Sequence, residues 1–102
     1  MGAALLAEPV TARQAEAWGM IWEAVPDEQF AAVLAARAAK LAAGPTGAYA
    51  ALKQALRGAF EQPLEAQLAV EARLQGACGA SHDFSEGVAA FQEKRAPRFT
   101  GK

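Results

Sequence analysis

Glycines and prolines cut this chain into alanine-rich stretches, and within each stretch the large apolar residues fall at helical spacing. "PDEQFAAVLAARAAKLAAG" shows the pattern most clearly. Phe30, Val33, Leu34 and Leu41 lie on one stripe, Asp27 and Glu28 sit where the helix dipole favours negative charge, and Gly44 closes the segment. About a quarter of the residues are alanine, the strongest helix former. "PTGAYAALKQALRGAFEQ" gives a second long helix, with Tyr49, Leu52, Leu56 and Phe60 on a face flanked by Lys53 and Arg57. Thr46, after Gly44, reads as its N-cap. "PLEAQLAVEARLQGACG" starts with Pro63 near the first helical position and carries Leu64, Leu68 and Val70 on its apolar side. The last segment, "SHDFSEGVAAFQEKR", has Ser81 as cap, Phe84, Val88 and Phe91 as stripe, and Pro97 as stop. Upstream, "VTARQAEAWG" runs from a Thr11 cap to Gly19, and "MGAALLA" reads as the last turns of a helix ended by Pro9. "MIWEAV" is the exception, a short run rich in strand formers between Gly19 and Pro26. A lone strand has no partner for its backbone groups, so a second chain or an upstream segment would have to supply one. The expectation is a mostly α fold with one short strand near the N-terminus.

The chain's 102 residues suit one domain or a piece of one. A content of 53% hydrophobic and 21% charged residues is that of a globular protein and argues against disorder. Ten basic against eleven acidic residues leave a formal net charge of -1, which lacks the basic excess of a nucleic-acid binder. Cys78 has no second cysteine to pair with, which fits a reducing cytoplasm. No apolar run approaches the roughly 20 residues of a membrane span. The first residues lack the basic flank of a signal peptide, and Leu6 breaks the myristoylation pattern that "MGAALL" begins.

No set of residues in the sequence forms an acid–base or nucleophilic centre. His82, the sole histidine, sits at a helix start where the dipole disfavours its charged form, and reads as an exposed, inert residue. Cys78 lacks a CxxC partner and reads as a small buried side chain. "GPTG" has neither the length nor the lysine of a phosphate-binding loop. Glu61, Glu65 and Glu71 read as solvated helix-face charges, and Trp18 and Trp22 as core or interface aromatics. No catalytic residue and no metal site is assigned.

Three segments in order carry a family resemblance: "EPVTARQAEAWGMIWEAVPDEQF", "LAAGPTGAYAALKQAL" and "SHDFSEGVAAFQEKRAPRFTGK". The chain resembles the C-terminal part of the crotonase superfamily, the enoyl-CoA hydratases and isomerases. Members carry an Ala-Glu-x-x-Gly helix, a short strand ending in Val-Pro, a Gly-Pro helix with a lysine, and a terminal Ser-x-Asp-x-x-Glu-Gly-x-x-Ala-Phe-x-x-Lys-Arg. "GPTGAYAALKQAL" and "KRAPRFTGK" look most similar to the ring-epoxide isomerases of phenylacetate degradation.

The resemblance implies that residues 1–26 end the crotonase core and that residues 27–102 form the C-terminal helical oligomerisation region. It implies a homo-oligomer, trimeric or hexameric, acting on acyl-CoA, with coenzyme A entering as part of the substrate and no separate cofactor. In the family, the oxyanion hole and the acidic catalytic residues lie in an N-terminal spiral that these residues do not include. The chain alone is therefore expected to be inactive. The family's terminal helix carries an aromatic and a lysine that reach the adenine and phosphate end of coenzyme A, and by motif position these are Phe91 and Lys94. Arg95 and Arg98 rank below Lys94, because they lie off its face or past the helix. The competing reading is an independent helical assembly module with no coenzyme A role, in which Phe91 is core and Lys94 a solvated helix end.

Overall fold

A computed structural model describes residues 2–102. Among them are six α-helices: α1 (Gly2–Leu6), α2 (Ala12–Ala17), α3 (Asp27–Ala42), α4 (Thr46–Gly58), α5 (Leu64–Gly79) and α6 (His82–Gln92). The chain divides into two compact units, one reaching Ala36 and the other running from Arg37 to Lys102, so that the division falls inside α3.

In the first unit, α2 is set by its caps. The Gln14 N–H donates to Thr11 Oγ1 (3.2 Å) while Gln14 Oε1 accepts from the Thr11 N–H (3.0 Å), a reciprocal capping box. At the other end Gly19 takes φ 69°, its N–H donates to the Glu16 carbonyl (2.9 Å), and the Met20 N–H donates to the Ala15 carbonyl (2.8 Å). This is a Schellman ending, which needs a left-handed residue and so favours glycine.

The expected strand "MIWEAV" does not form; the described residues contain no strand. Met20 and Ile21 fold back on α2, both donating to the Ala15 carbonyl, and residues 22–26 continue as irregular backbone. The composition of this run suits a strand, but a strand needs a neighbouring edge, and none is present among the described residues. Trp22, within this run, stands 86% exposed.

In the second unit α4 packs on α5, and α5 on α6. A side chain at Gly44 would run into the Tyr49 ring, so glycine lets the ring pack against the backbone where the chain turns into α4. Pro45 rather than Thr46 occupies the N-cap and offers no side-chain bond; Thr46 is the first helical residue, and its hydroxyl faces Gly101 instead. Pro63 caps α5 in the same way, one position before Leu64.

Leu74 and Ala90 are the buried apolar residues among those described. The buried Gln67 amide ties α5 to α4. Its Nε2 donates to the Ala55 carbonyl (3.2 Å) and to Glu71 Oε1 (2.6 Å), and its Oε1 accepts from the Gln62 side chain. Such a satisfied amide costs little to bury and fixes the register of the two helices.

The final helix stops earlier than its sequence suggests. α6 ends at Gln92 with Glu93 as C-cap, five residues before Pro97, and Lys94 adopts φ 53°. No described helix is long and apolar enough to cross a membrane.

Candidate functional site

The Ser81 hydroxyl accepts from the Phe84 N–H (3.1 Å) and donates to the Cys78 carbonyl (2.6 Å), so one side chain both starts α6 and ties it to the end of α5. That start turns Phe84, Val88 and Phe91 towards a cavity of about 710 Å³ between α4, α5 and α6. Ala48 and Ala51 of α4, with Leu74 and Cys78 of α5, line its other walls. The helical stripe read from the sequence therefore exists, but it is not core. Phe91 is 86% exposed at the rim, and Phe84 and Val88 are exposed as well.

After α6 the chain doubles back as a strap, and two carboxylates on α6 hold it. Asp83 Oδ1 accepts from the Thr100 N–H (2.7 Å) and the Thr100 hydroxyl (3.3 Å), and Oδ2 accepts from the Gly101 N–H (2.8 Å). Glu86 Oε1 accepts from Arg95 Nη1 (2.6 Å) and the Arg98 N–H (2.7 Å), and Oε2 from Arg95 Nη2 (2.9 Å). The Asp83 N–H donates to the Lys102 carbonyl (3.0 Å).

The strap then reaches the start of α4. A Cβ on Gly47 would lie 3.3 Å from the Gly101 carbonyl, and one on Gly101, at φ 80°, 2.5 Å from Thr46 Oγ1. The "GPTG" turn is thus the bed on which the strap lies, and its glycine at 47 leaves room for it. Phe99 covers Gly87 and joins Gly101 and Lys102 in lining the cavity.

These bonds set the electrostatics. The Thr100 N–H first, then the Gly101 N–H, hold the buried Asp83 carboxyl below its ordinary value, against the opposing effect of burial. The Arg95 guanidinium first, then the Arg98 N–H, bring Glu86 down from 4.5 to about 2. Arg95 is pushed up by Glu86 and by Glu93, whose Oε2 lies 2.5 Å from Arg95 Nε.

His82 is exposed, with Nδ1 3.7 Å from Asp83 Oδ1, but both Asp83 oxygens already hold the strap. Cys78 is half-buried in the cavity wall. Among the described residues no three His, Cys, Asp or Glu side chains are placed to hold a metal ion.

Phe91 and Lys94, assigned by motif position to one terminal helix, are separated by its end: Phe91 lies in α6 and Lys94 beyond the Glu93 C-cap. The Lys94 N–H donates to the Phe91 carbonyl (3.3 Å) and the Arg95 N–H to the Ala90 carbonyl (3.0 Å). This is again a Schellman ending, with Lys94 in the left-handed position that glycine usually takes. Phe91 lines the cavity rim, whereas the lysine lining the cavity is Lys102. Reasoning from sequence alone missed the strap contacts of Asp83 and Glu86, and placed Arg95 only below Lys94, not as the partner of Glu86. Their signal is two carboxylates three apart on one helix face, followed closely by a basic, proline-broken tail.

The whole chain, residues 1–102, matches the enoyl-CoA hydratase/isomerase family. It is 57% identical over 102 residues to a probable enoyl-CoA hydratase of Rhodobacter capsulatus, covering 100% of this chain and 40% of that protein. It is 45% identical over 102 residues to the 1,2-epoxyphenylacetyl-CoA isomerase of Escherichia coli, covering 100% of this chain and 39% of that protein. In structure it superimposes on an enoyl-CoA hydratase/isomerase from Mycobacterium abscessus with a TM-score of 0.91 and 38% identity, covering 98% of this chain and 39% of that one. The chain therefore belongs to the enoyl-CoA hydratase/isomerase family, the crotonase superfamily, and corresponds to the helical C-terminal part of its fold.

Proposed function

We propose that this chain is the C-terminal part of an enzyme that hydrates or isomerises acyl-CoA thioesters, that it builds the homo-oligomer, trimeric or hexameric, and that it contacts the nucleotide end of coenzyme A through Phe91 and Lys94. The observation that carries the reading is the match of the entire chain to the family, with 45% identity to an isomerase of a ring-epoxide CoA ester. That relative and the terminal "KRAPRFTGK" favour phenylacetate catabolism, with fatty-acid catabolism as the wider class, and a lone cysteine suits a cytoplasmic enzyme.

The local geometry supports the contact. Phe91 is an exposed aromatic at a helix end, suited to stack on a nucleobase. Lys94 follows at the helix C-terminus, where the dipole favours a cation and an ammonium can meet a phosphate as a point charge.

Turnover by the full-length enzyme tests the activity. Purified protein is offered crotonyl-CoA and the ring epoxide of phenylacetyl-CoA, beside the isolated 102-residue chain. The reading expects turnover of at least one by the full-length enzyme and none by the chain, since a reaction through an enolate needs an oxyanion hole, worth on the order of 100-fold per donor. Full-length enzyme inert towards acyl-CoA esters, or a chain active alone after repurification, contradicts it.

A further inference from the structure

We propose that Glu86 is a positioning residue for Lys94: by clamping Arg95 and the Arg98 N–H it ends α6 early and presents the Lys94 ammonium unpaired to the anionic end of the ligand. The proposal rests on the reading that Lys94 meets that end of coenzyme A. Gln92, Glu93, Lys94 and Arg95 are all good helix formers, and nothing before Pro97 forces a stop. The helix nevertheless ends at Gln92 and leaves Lys94 at φ 53°, a conformation that a residue with a Cβ adopts only at a cost. Such strain persists where surrounding contacts over-determine it.

Glu86 supplies those contacts. On a continued helix Arg95 would lie nine residues beyond Glu86, about 13 Å further along the axis and on roughly the opposite side. The observed bidentate pair, with Arg95 Nη1 at 2.6 Å and Nη2 at 2.9 Å from the Glu86 oxygens, excludes that geometry. The Arg98 N–H on Glu86 Oε1 (2.7 Å) fixes the chain again three residues on. Glu86 thus selects the turned ending over the continued helix, and with it the direction in which Lys94 leaves the backbone.

The same cluster decides which cation stays available. Arg95 takes Glu86 through its two terminal nitrogens and Glu93 through Nε, at 2.5 Å. Glu93 is the carboxylate next to Lys94 in sequence, so its engagement with Arg95 removes the nearest competitor for the ammonium. Lys94 is exposed and makes no ion pair among the described residues.

The test uses the full-length enzyme and reads the KM for an acyl-CoA against that for the matching acyl-pantetheine, which lacks the nucleotide. Lys94→Ala is the reference, with a KM for acyl-CoA raised about fivefold or more and kcat nearly unchanged. Glu86→Ala should raise the same KM by a similar factor, spare the acyl-pantetheine, and add nothing when combined with Lys94→Ala. Arg95→Met breaks the clamp from its other side, and should do the same if Glu86→Ala does not fold. Additive losses, equal losses with both substrates, or clamp variants with an unchanged KM beside an affected Lys94→Ala overturn the proposal alone. An unchanged KM in Lys94→Ala removes the reading beneath it, and the proposal falls with that reading.

Discussion

Lys94 carries a conflict that its neighbours resolve. Its backbone occupies the left-handed place of a Schellman ending, where glycine is free of strain, yet the residue is a lysine. Stability alone would favour glycine there, so replacement separates fold from function. Lys94→Gly should relieve a left-handed strain of about 1 kcal/mol, less the extra freedom glycine gains on unfolding. The denaturation midpoint of the full-length enzyme should hold or rise while its KM for acyl-CoA increases. A lowered midpoint with unchanged KM would mean that the lysine stabilises the turn and serves nothing else. Gly44 is the opposite case, since a Cβ there would meet the Tyr49 ring and the cost of a side chain is the cost of moving that ring.

At the scale of elements, helices were legible wherever local chemistry decides them. The Thr11 cap, the Ser81 cap and the Gly19 ending are read from a few adjacent residues, and the structure shows each one, adding the reciprocal bond from Gln14 at the first. What the sequence hid was long-range. The end of α6 is set by Glu86 reaching Arg98, and the strap by Asp83 reaching Gly101, contacts that no local propensity encodes. "MIWEAV" misled for a related reason, since strand composition says nothing about whether an edge is available to pair with. Phe91 and Lys94 were legible as residues, but their spacing was not, because it assumed a helix that the clamp interrupts. The strap also has a definite pH dependence. Glu86 titrates at about 2 in the folded state against 4.5 ordinarily, and Asp83 is likewise lowered. A lowered folded value means that the stabilisation is complete above the ordinary value and is lost as pH falls through the folded one. His82, Arg95 and the Arg98 N–H face Glu86, while His82, Thr100 and the Gly101 N–H face Asp83. Amide exchange at Arg98, Thr100 and Gly101 should therefore stay slow from neutrality to about pH 4 and accelerate, after correction for intrinsic rates, only towards pH 2. Acceleration already complete at pH 4 would show that the carboxylates do not hold the strap.

For the whole molecule, the apolar faces matter more than the small core. Leu52, Leu56, Leu64, Leu68, Phe84, Val88 and Phe91 are all exposed in the second unit, and Phe60 is 98% exposed. Clustered apolar exposure of this kind marks surfaces that another protein segment covers. The isolated chain should therefore self-associate, and light scattering behind a sizing column should give the mass of a trimer or larger; a clean monomer at tens of micromolar would count against the oligomer-building role. The most direct measurement for the central claim is competitive inhibition of the full-length enzyme by the adenosine bisphosphate end of coenzyme A, with pantetheine as control. If Phe91 and Lys94 contact that end, Phe91→Ala and Lys94→Ala should each weaken inhibition by the nucleotide several-fold and leave inhibition by pantetheine unchanged. Nucleotide inhibition that survives both substitutions undiminished would contradict the account.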